Sequence, residues 1–423
     1  MGRPRHRRRV RDRGDRVAHV PRHRTGGSRD TPGGTGRARR ETAVPLELFL
    51  DLVIVFAFTQ VTSLLSADPS WTGVVDGLLL LSVLWWAWAG FARLTNAVDP
   101  EEGVVRIVIL GAIGAMLVMS LAAPHAFGRD ALTFAIAYVM VRALHVGLSG
   151  LEAREAPELR GETLRLVPNA AAAGALLLVA GVVDGGARLA CWAAVALVSF
   201  LGPLLAGGRG WEISPAHFVE RFGQVILIAL GESVVAIGIG AQGLRLDGGV
   251  IAAALLGMTA VACLWWAYFD WVVYVARARL TEAAPPERAA LARDVYSYLH
   301  FPMVGGIVLF AFGLKTALHG PRHSLDILPA TALAGGLALY LIAHVALRLR
   351  IGGGLGRGRP VAALVLVACI PVLRVTSAVG ALGVVAATCV LLITYEVLRH
   401  REPRALIRSR RETLRADDIR PRR

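Results

Sequence analysis

The chain has 423 residues, 55% of them hydrophobic and 18% charged. Soluble domains run at about 45–50% apolar and about 25% charged residues, so a soluble globular class is excluded, and the long apolar runs define an all-α polytopic integral membrane protein. The net charge of +15 is not spread evenly: residues 1–40 hold 14 Arg against three Asp, residues 399–423 hold ten Arg against four acids, and the body between them is nearly neutral.

Residues 1–42 form an Arg-rich tail whose Gly and Pro content predicts disorder. Residues 401–423 form a second basic tail. Such tails lie on the anionic cytoplasmic leaflet, so anionic lipids are their expected partners. A nucleic acid is not expected, because no aromatic residues interleave with the Arg of the first tail and no nucleic-acid module follows. The run after the first tail contains Glu47 and Asp51, which argues against a cleavable signal peptide.

Twelve membrane helices are predicted, at about 20 residues each. Their spans are 46–66, 74–96, 104–123, 131–150, 165–183, 187–206, 217–241, 248–273, 294–318, 326–347, 360–375 and 378–398. The eleventh is short and contains Pro371. With the first tail inside, fifteen Arg fall on inner loops and helix ends and six Arg or Lys on outer ones. That bias predicts an even number of spans with both termini cytoplasmic.

A duplication is visible. Leu84-Trp85-Trp86-Ala87-Trp88 in the second span returns as Leu264-Trp265-Trp266-Ala267-Tyr268 in the eighth. Glu47 and Asp51 stand four residues apart, as do Glu220 and Gln224, and His145-Val146-Gly147-Leu148 is echoed by His344-Val345-Ala346-Leu347. Six spans separate each pair, which predicts two parallel six-helix repeats, residues 43–208 and 209–400, with a site between them.

Glu47 and Asp51 share one helix face, Asp51 lying about 6 Å deeper. A charge at membrane depth costs roughly 2.5–3.5 kcal/mol and faces a protein interior or a water path. The predicted substrate or ion path comprises Glu47, Asp51, Gln60, His145, Glu220, Gln224, Glu232 and His344, with carboxylates and imidazoles in a ring in the inner half of the membrane. Glu47 and Glu220 also fit a plainer role as first-turn anions, and Asp51 or Glu232 that of a partner for Arg142. Trp85, Trp86, Trp265 and Trp266 line that path or pack between helices. Gly111 with Gly114 and Gly238 with Gly240 suit close helix packing. Cys191, Cys263, Cys369 and Cys389 read as small buried hydrophobes, with no metal spacing. Walker, zincin, nucleophile-elbow and potassium-filter motifs are absent from the sequence, and no metal, cofactor or enzyme activity is expected.

Pro45-Leu46-Glu47-Leu48-Phe49-Leu50-Asp51-Leu52-Val53, Phe56-Ala57-Phe58-Thr59-Gln60, Trp85-Trp86-Ala87-Trp88, Thr95-Asn96-Ala97, Asp99-Pro100 and Ala229-Leu230-Gly231-Glu232-Ser233 together resemble the bacterial low temperature requirement A (LtrA) family over roughly residues 43–400. Leu50 departs from the Phe that members often carry there. The resemblance implies a multi-pass protein of the bacterial plasma membrane linked to growth in the cold or under stress, and it implies no substrate. The leading expectation is a transporter or channel-like protein moving a proton, cation or small solute through a carboxylate-lined path. The alternative is a non-transporting sensor or assembly factor acting through its basic tails. An intramembrane enzyme ranks last, since no nucleophile or metal accompanies the carboxylates. A second copy of the chain is a further partner that this reading admits.

Overall fold

The computed structural model describes residues 45–96, 100, 102–155, 160–206, 213–270 and 272–399. Both basic tails lie outside the described residues. Within those residues the fold is helical, as lipid demands of backbone that has no water to bond. Twelve helical stretches are long and apolar enough to cross a membrane.

The helices are α1 (Pro45–Ala67), α2 (Trp71–Leu94), α3 (Gly103–Ala122), α4 (Ala131–Glu155), α5 (Arg160–Ala180), α6 (Gly185–Ala206), α7 (Pro215–Ala241), α8 (Gly248–Phe269), α9 (Val272–Glu282), α10 (Pro285–Leu291), α11 (His300–His319), α12 (Ile327–Arg350), α13 (Gly358–Val375) and α14 (Ala378–Arg399). The short α13 runs unbroken through Pro371.

One stretch differs from expectation. Most of residues 274–293, expected as an inner loop, are helical: they hold α9 and α10, and α10 leads through a π-helical segment, Ala292–Tyr298, into α11. The stretch Pro285–His319 is 35 residues long, about 50 Å at 1.5 Å per residue, and so outreaches a hydrocarbon core of about 30 Å. Arg279 Nε reaches the Ile351 carbonyl, and Arg288 Nε reaches the Leu280 carbonyl, which fastens this extension to its surroundings. Arg residues thus occupy helix here where a loop was expected.

Helix starts are set by local chemistry. Ser70 Oγ accepts from the Gly73 amide at 3.0 Å to cap α2. Asp247 Oδ1 accepts from the Gly249 and Val250 amides to cap α8. The Val250 amide, with the guanidinium of Arg322 and the Gly249 amide, holds the Asp247 carboxyl below the ordinary aspartate range.

Packing follows a regular neighbour order. α1 lies on α2 and α3, α3 on α4, α4 on α5, α5 on α6, and α6 returns to α2. Likewise α7 lies on α8 and α11, α11 on α12, α12 on α13, α13 on α14, and α14 returns to α8. α1 joins the two sets by packing on α7 and α11.

Backbones approach most closely between α11 and α12. A Cβ on Gly336 would stand 2.5 Å from the Gly306 carbonyl oxygen, and one on Gly306 would stand 2.9 Å from the Tyr340 nitrogen. Of the glycine pairs read from the sequence, Gly240 does sit against α11, at Lys315, but Gly114 and Gly238 face open space.

The Trp residues divide. Trp85 and Trp86 are buried. Trp85 Nε1 donates to the Ser297 carbonyl at 2.8 Å, and its ring packs on Trp88, Phe222 and Phe301. Trp86 packs edge-on to Phe200 and Tyr298. Trp265 and Trp266 are 45% and 40% exposed, so the second pair does not repeat the packing of the first.

Candidate functional site: a buried charge cluster between α1 and α7

The α1 carboxylates do meet α7, three residues away from where the motif alignment placed them. Glu47 and Asp51 are four residues apart on α1, and His217 and Arg221 are four apart on α7, so each pair shows one face to the other. His217 Nε2 lies 3.0 Å from Glu47 Oε2. Arg221 Nη1 donates to Asp51 Oδ2 at 2.6 Å, and Arg221 Nε lies 3.9 Å from Glu47 Oε1. Both links join residues 170 apart, the register of two helices that run in the same direction.

The C-terminal end of α2 completes the cluster. Trp88 Nε1 donates to Asp51 Oδ1 at 2.9 Å, and the Arg221 guanidinium carbon lies 6.0 Å from the Trp88 ring centre, within cation–π reach. Asn96 Oδ1 accepts from the Ser214 amide at 3.0 Å. That bond orients the side-chain amide, so its NH₂ group faces His217 Nδ1 at 3.0 Å. Nδ1 therefore accepts, and Nε2 carries the proton that it donates to Glu47.

Glu47, Asp51 and Arg221 are 1%, 3% and 0% exposed. Among the described residues the two carboxylates face one guanidinium and the imidazole of His217, and buried charges are costly unless paired in this way. Arg221 Nη2 is buried and has no hydrogen-bond partner among the described residues, which leaves a donor available inside the cluster.

A second polar group occupies the same seam further along. Thr59 Oγ1 of α1 donates to Glu232 Oε2 of α7 at 2.5 Å. Lys315 of α11 donates to Ser66 Oγ at 3.1 Å, near enough to Glu232 for their charges to interact. Asp51 and Thr59 are eight residues apart, about 12 Å along the helix. The buried α1 residues between them, Val53, Ile54, Ala57 and Phe58, are apolar, as are Val225, Ile226 and Ala229 on α7.

The remaining candidates fall elsewhere. Gln224 accepts from Arg221 Nη1 at 3.4 Å and so borders the cluster. Glu220 is half-buried, and the α1 carboxylates meet His217 and Arg221 instead. Gln60 is half-buried beside Thr59. The expected single ring of carboxylates and imidazoles resolves into separate hydrogen-bonded groups. His145 Nδ1 lies 3.4 Å from Arg142 Nη1, and Arg142 Nη2 donates to Asn169 Oδ1. Arg142 is thus partnered by neither Asp51 nor Glu232. His344 Nδ1 lies 3.0 Å from the Tyr340 carbonyl, with its ring against Tyr340 and Tyr268, while Tyr268 bonds His300 at 2.8 Å. Among the described residues no three His, Cys, Asp or Glu side chains converge as a metal site.

His217, Arg221, Trp88, Asn96 and Thr59 were not singled out as site residues. A signal for two of them was present: His217 and Arg221 repeat the four-residue spacing of Glu47 and Asp51 with complementary chemistry.

The chain is similar to an uncharacterized protein of Rhizobium meliloti (strain 1021), 28% identical over 310 residues, covering 70% of this chain and 74% of that one. Residues 42–394, which include every residue of the α1/α7 clusters, match the family described as bacterial low temperature requirement A protein. The chain therefore belongs to the LtrA family of multi-pass membrane proteins.

Proposed function

We propose that this protein is a transporter rather than an enzyme, and that it moves a proton, a cation or a small solute coupled to one. The observation that carries the reading is the inner cluster, where two buried carboxylates face one guanidinium and one imidazole. Asp51, bound to Trp88 and Arg221, acts as the fixed anchor. Glu47 with His217 is the pair that takes up and gives back the exchangeable charge. Glu232 with Thr59 and Lys315 is the second station. The apolar stretch between the stations is too long for a direct hydrogen bond, so passage requires water entry or a rocking of one helix set against the other.

In this reading the two helix sets are six-helix repeats, related by an axis along the membrane normal. The matching neighbour orders of α1–α6 and α7–α14 support this. The basic tails face the cytoplasm, the membrane is the bacterial plasma membrane, and activity supports growth in the cold. A second reading, a non-transporting sensor or assembly factor working through its tails, is favoured by the complete pairing of Asp51.

Flux into proteoliposomes separates the two. Transport predicts pH- or ion-dependent flux that Glu47→Gln and Glu232→Gln abolish and that deletion of residues 1–40 and 404–423 spares. No flux across a panel of ions and small solutes, with cold growth lost on tail deletion, refutes transport.

A further inference from the structure

A cavity of about 540 Å³ opens at the end of the bundle where α12 and α14 finish and α13 starts. Arg348, Arg357, Arg359, Tyr395, Glu396 and Arg399 are among the residues that line it. The acid is already engaged. Glu396 accepts from Arg359 Nε at 2.8 Å and from Nη2 at 3.2 Å, and Arg359 Nη2 also donates to the Ala267 carbonyl. That clasp ties α8, α13 and α14 together. Arg348, Arg357 and Arg399 make no ion pair among the described residues, so three positive charges are left on one concave wall.

The backbone adds to this. α13 starts at Gly358 with no side-chain cap, so the amides of Gly358 and Arg359 lie at the positive end of the helix without an intrahelical partner, while Pro360 has none to offer and Val361 bonds the Arg357 carbonyl. Gly356 has φ +67°, and Arg348 Nη1 would stand 2.8 Å from a Cβ placed there. The turn therefore needs glycine both for its backbone angle and to admit the guanidinium.

We propose that this cavity binds a phosphate-bearing anion, supplied by the headgroup of an anionic phospholipid. Guanidinium groups take phosphate oxygens in paired hydrogen bonds, and a helix start accepts an anion. The cavity holds roughly eighteen water volumes at about 30 Å³ each, room for a glycerophosphate headgroup beyond a bare phosphate. Val345 lines the cavity from the interior, and the exposed Leu355 supplies an apolar edge for acyl chains. Basic pockets between the ends of membrane helices are where such headgroups settle. Free phosphate shares the chemistry and lacks the chains.

The test uses the full-length protein, tails intact, in detergent. Phosphatidylglycerol, phosphatidylcholine and inorganic phosphate are titrated against wild type and the R348Q/R357Q/R399Q variant, with bound lipid read by native mass spectrometry and unfolding followed without lipid. The expected result is a roughly tenfold or greater loss of phosphatidylglycerol affinity in the variant, with only a small change in lipid-free melting, because none of the three arginines makes an ion pair among the described residues and Arg348 alone packs on the Gly353–Gly356 turn. Phosphate binding that the variant loses, without a preference for phosphatidylglycerol, supports the anion site and overturns its lipid source. Equal phosphatidylglycerol binding by both proteins overturns the site, as does an equal fall for phosphatidylcholine. Should the glutamine variant fail to fold, the triple lysine variant keeps the charge but not the paired bonds, and a loss of about threefold is expected. No loss in that variant then overturns the proposal. The outcome is independent of the flux assay.

Discussion

Arg221→Gln removes the guanidinium that two buried carboxylates share. With N–O separations of 2.6 Å to Asp51 and 3.9 Å to Glu47, the attractions are roughly 6 and 4 kcal/mol at an effective dielectric near 20. Most of that gross figure offsets the cost of taking the charges out of water. What remains on breaking such a pair is a loss of about 3–5 kcal/mol, because an uncompensated charge is left inside. Asp51→Asn is milder, at about 1–3 kcal/mol, since Arg221 still faces Glu47. In the double variant the Asp51 carboxylate is gone and only Glu47 is left without the guanidinium, so the loss falls short of the sum of the singles by about 1–2 kcal/mol or more. The assay is reversible unfolding in mixed micelles of rising denaturing-detergent fraction, followed by tryptophan fluorescence. Additivity within about 0.5 kcal/mol refutes the shared-guanidinium argument.

Three further outcomes are expected. Gly306→Ala pushes α11 off α12 and costs about 1–3 kcal/mol by overpacking, read in the same unfolding assay. Trp85→Ala costs about 3–5 kcal/mol, whereas Trp265→Ala stays within about 0.5 kcal/mol because it lies at the surface; equal effects would contradict the asymmetry of the two Trp pairs. Asp247→Ala frays the start of α8. Because the folded carboxyl titrates below its usual range, its stabilising effect is present at neutral pH and disappears as pH falls through the folded value. The melting difference between wild type and Asp247→Ala is therefore expected at pH 6 and absent in strong acid.

The spans were legible because their signal is one-dimensional: an apolar run of membrane length reads the same in any context. The α9–α10 extension was missed because its arginines resemble a charged loop, and its helicity comes from docking against neighbours such as Ile351. Glu47, Asp51 and Glu232 stood out as carboxylates within apolar sequence, and all three are buried. Their partners did not, because helix register is set by three-dimensional packing. The motif offset of 173 that aligned Glu47 with Glu220 does hold for Thr59 and Glu232, but at the other end of the seam the pairing is at 170. The tryptophan echo failed for a related reason: Trp265 and Trp266 share a sequence context with Trp85 and Trp86, yet they sit at the protein surface.

The long sequence gap between Asp51 and Arg221 has a biosynthetic consequence. At about 5–20 residues per second, the ribosome takes roughly 10–30 s to reach the second residue after making the first. Throughout that interval α1 carries two acids with no counter-charge from α7. The nascent segment must therefore wait at the lipid headgroups, enter with its carboxyls protonated, or be held by the insertion machinery until the later helix emerges. Slowing elongation lengthens that exposure, so the yield of correctly inserted protein should depend on translation speed more steeply in wild type than in an Asp51→Asn variant.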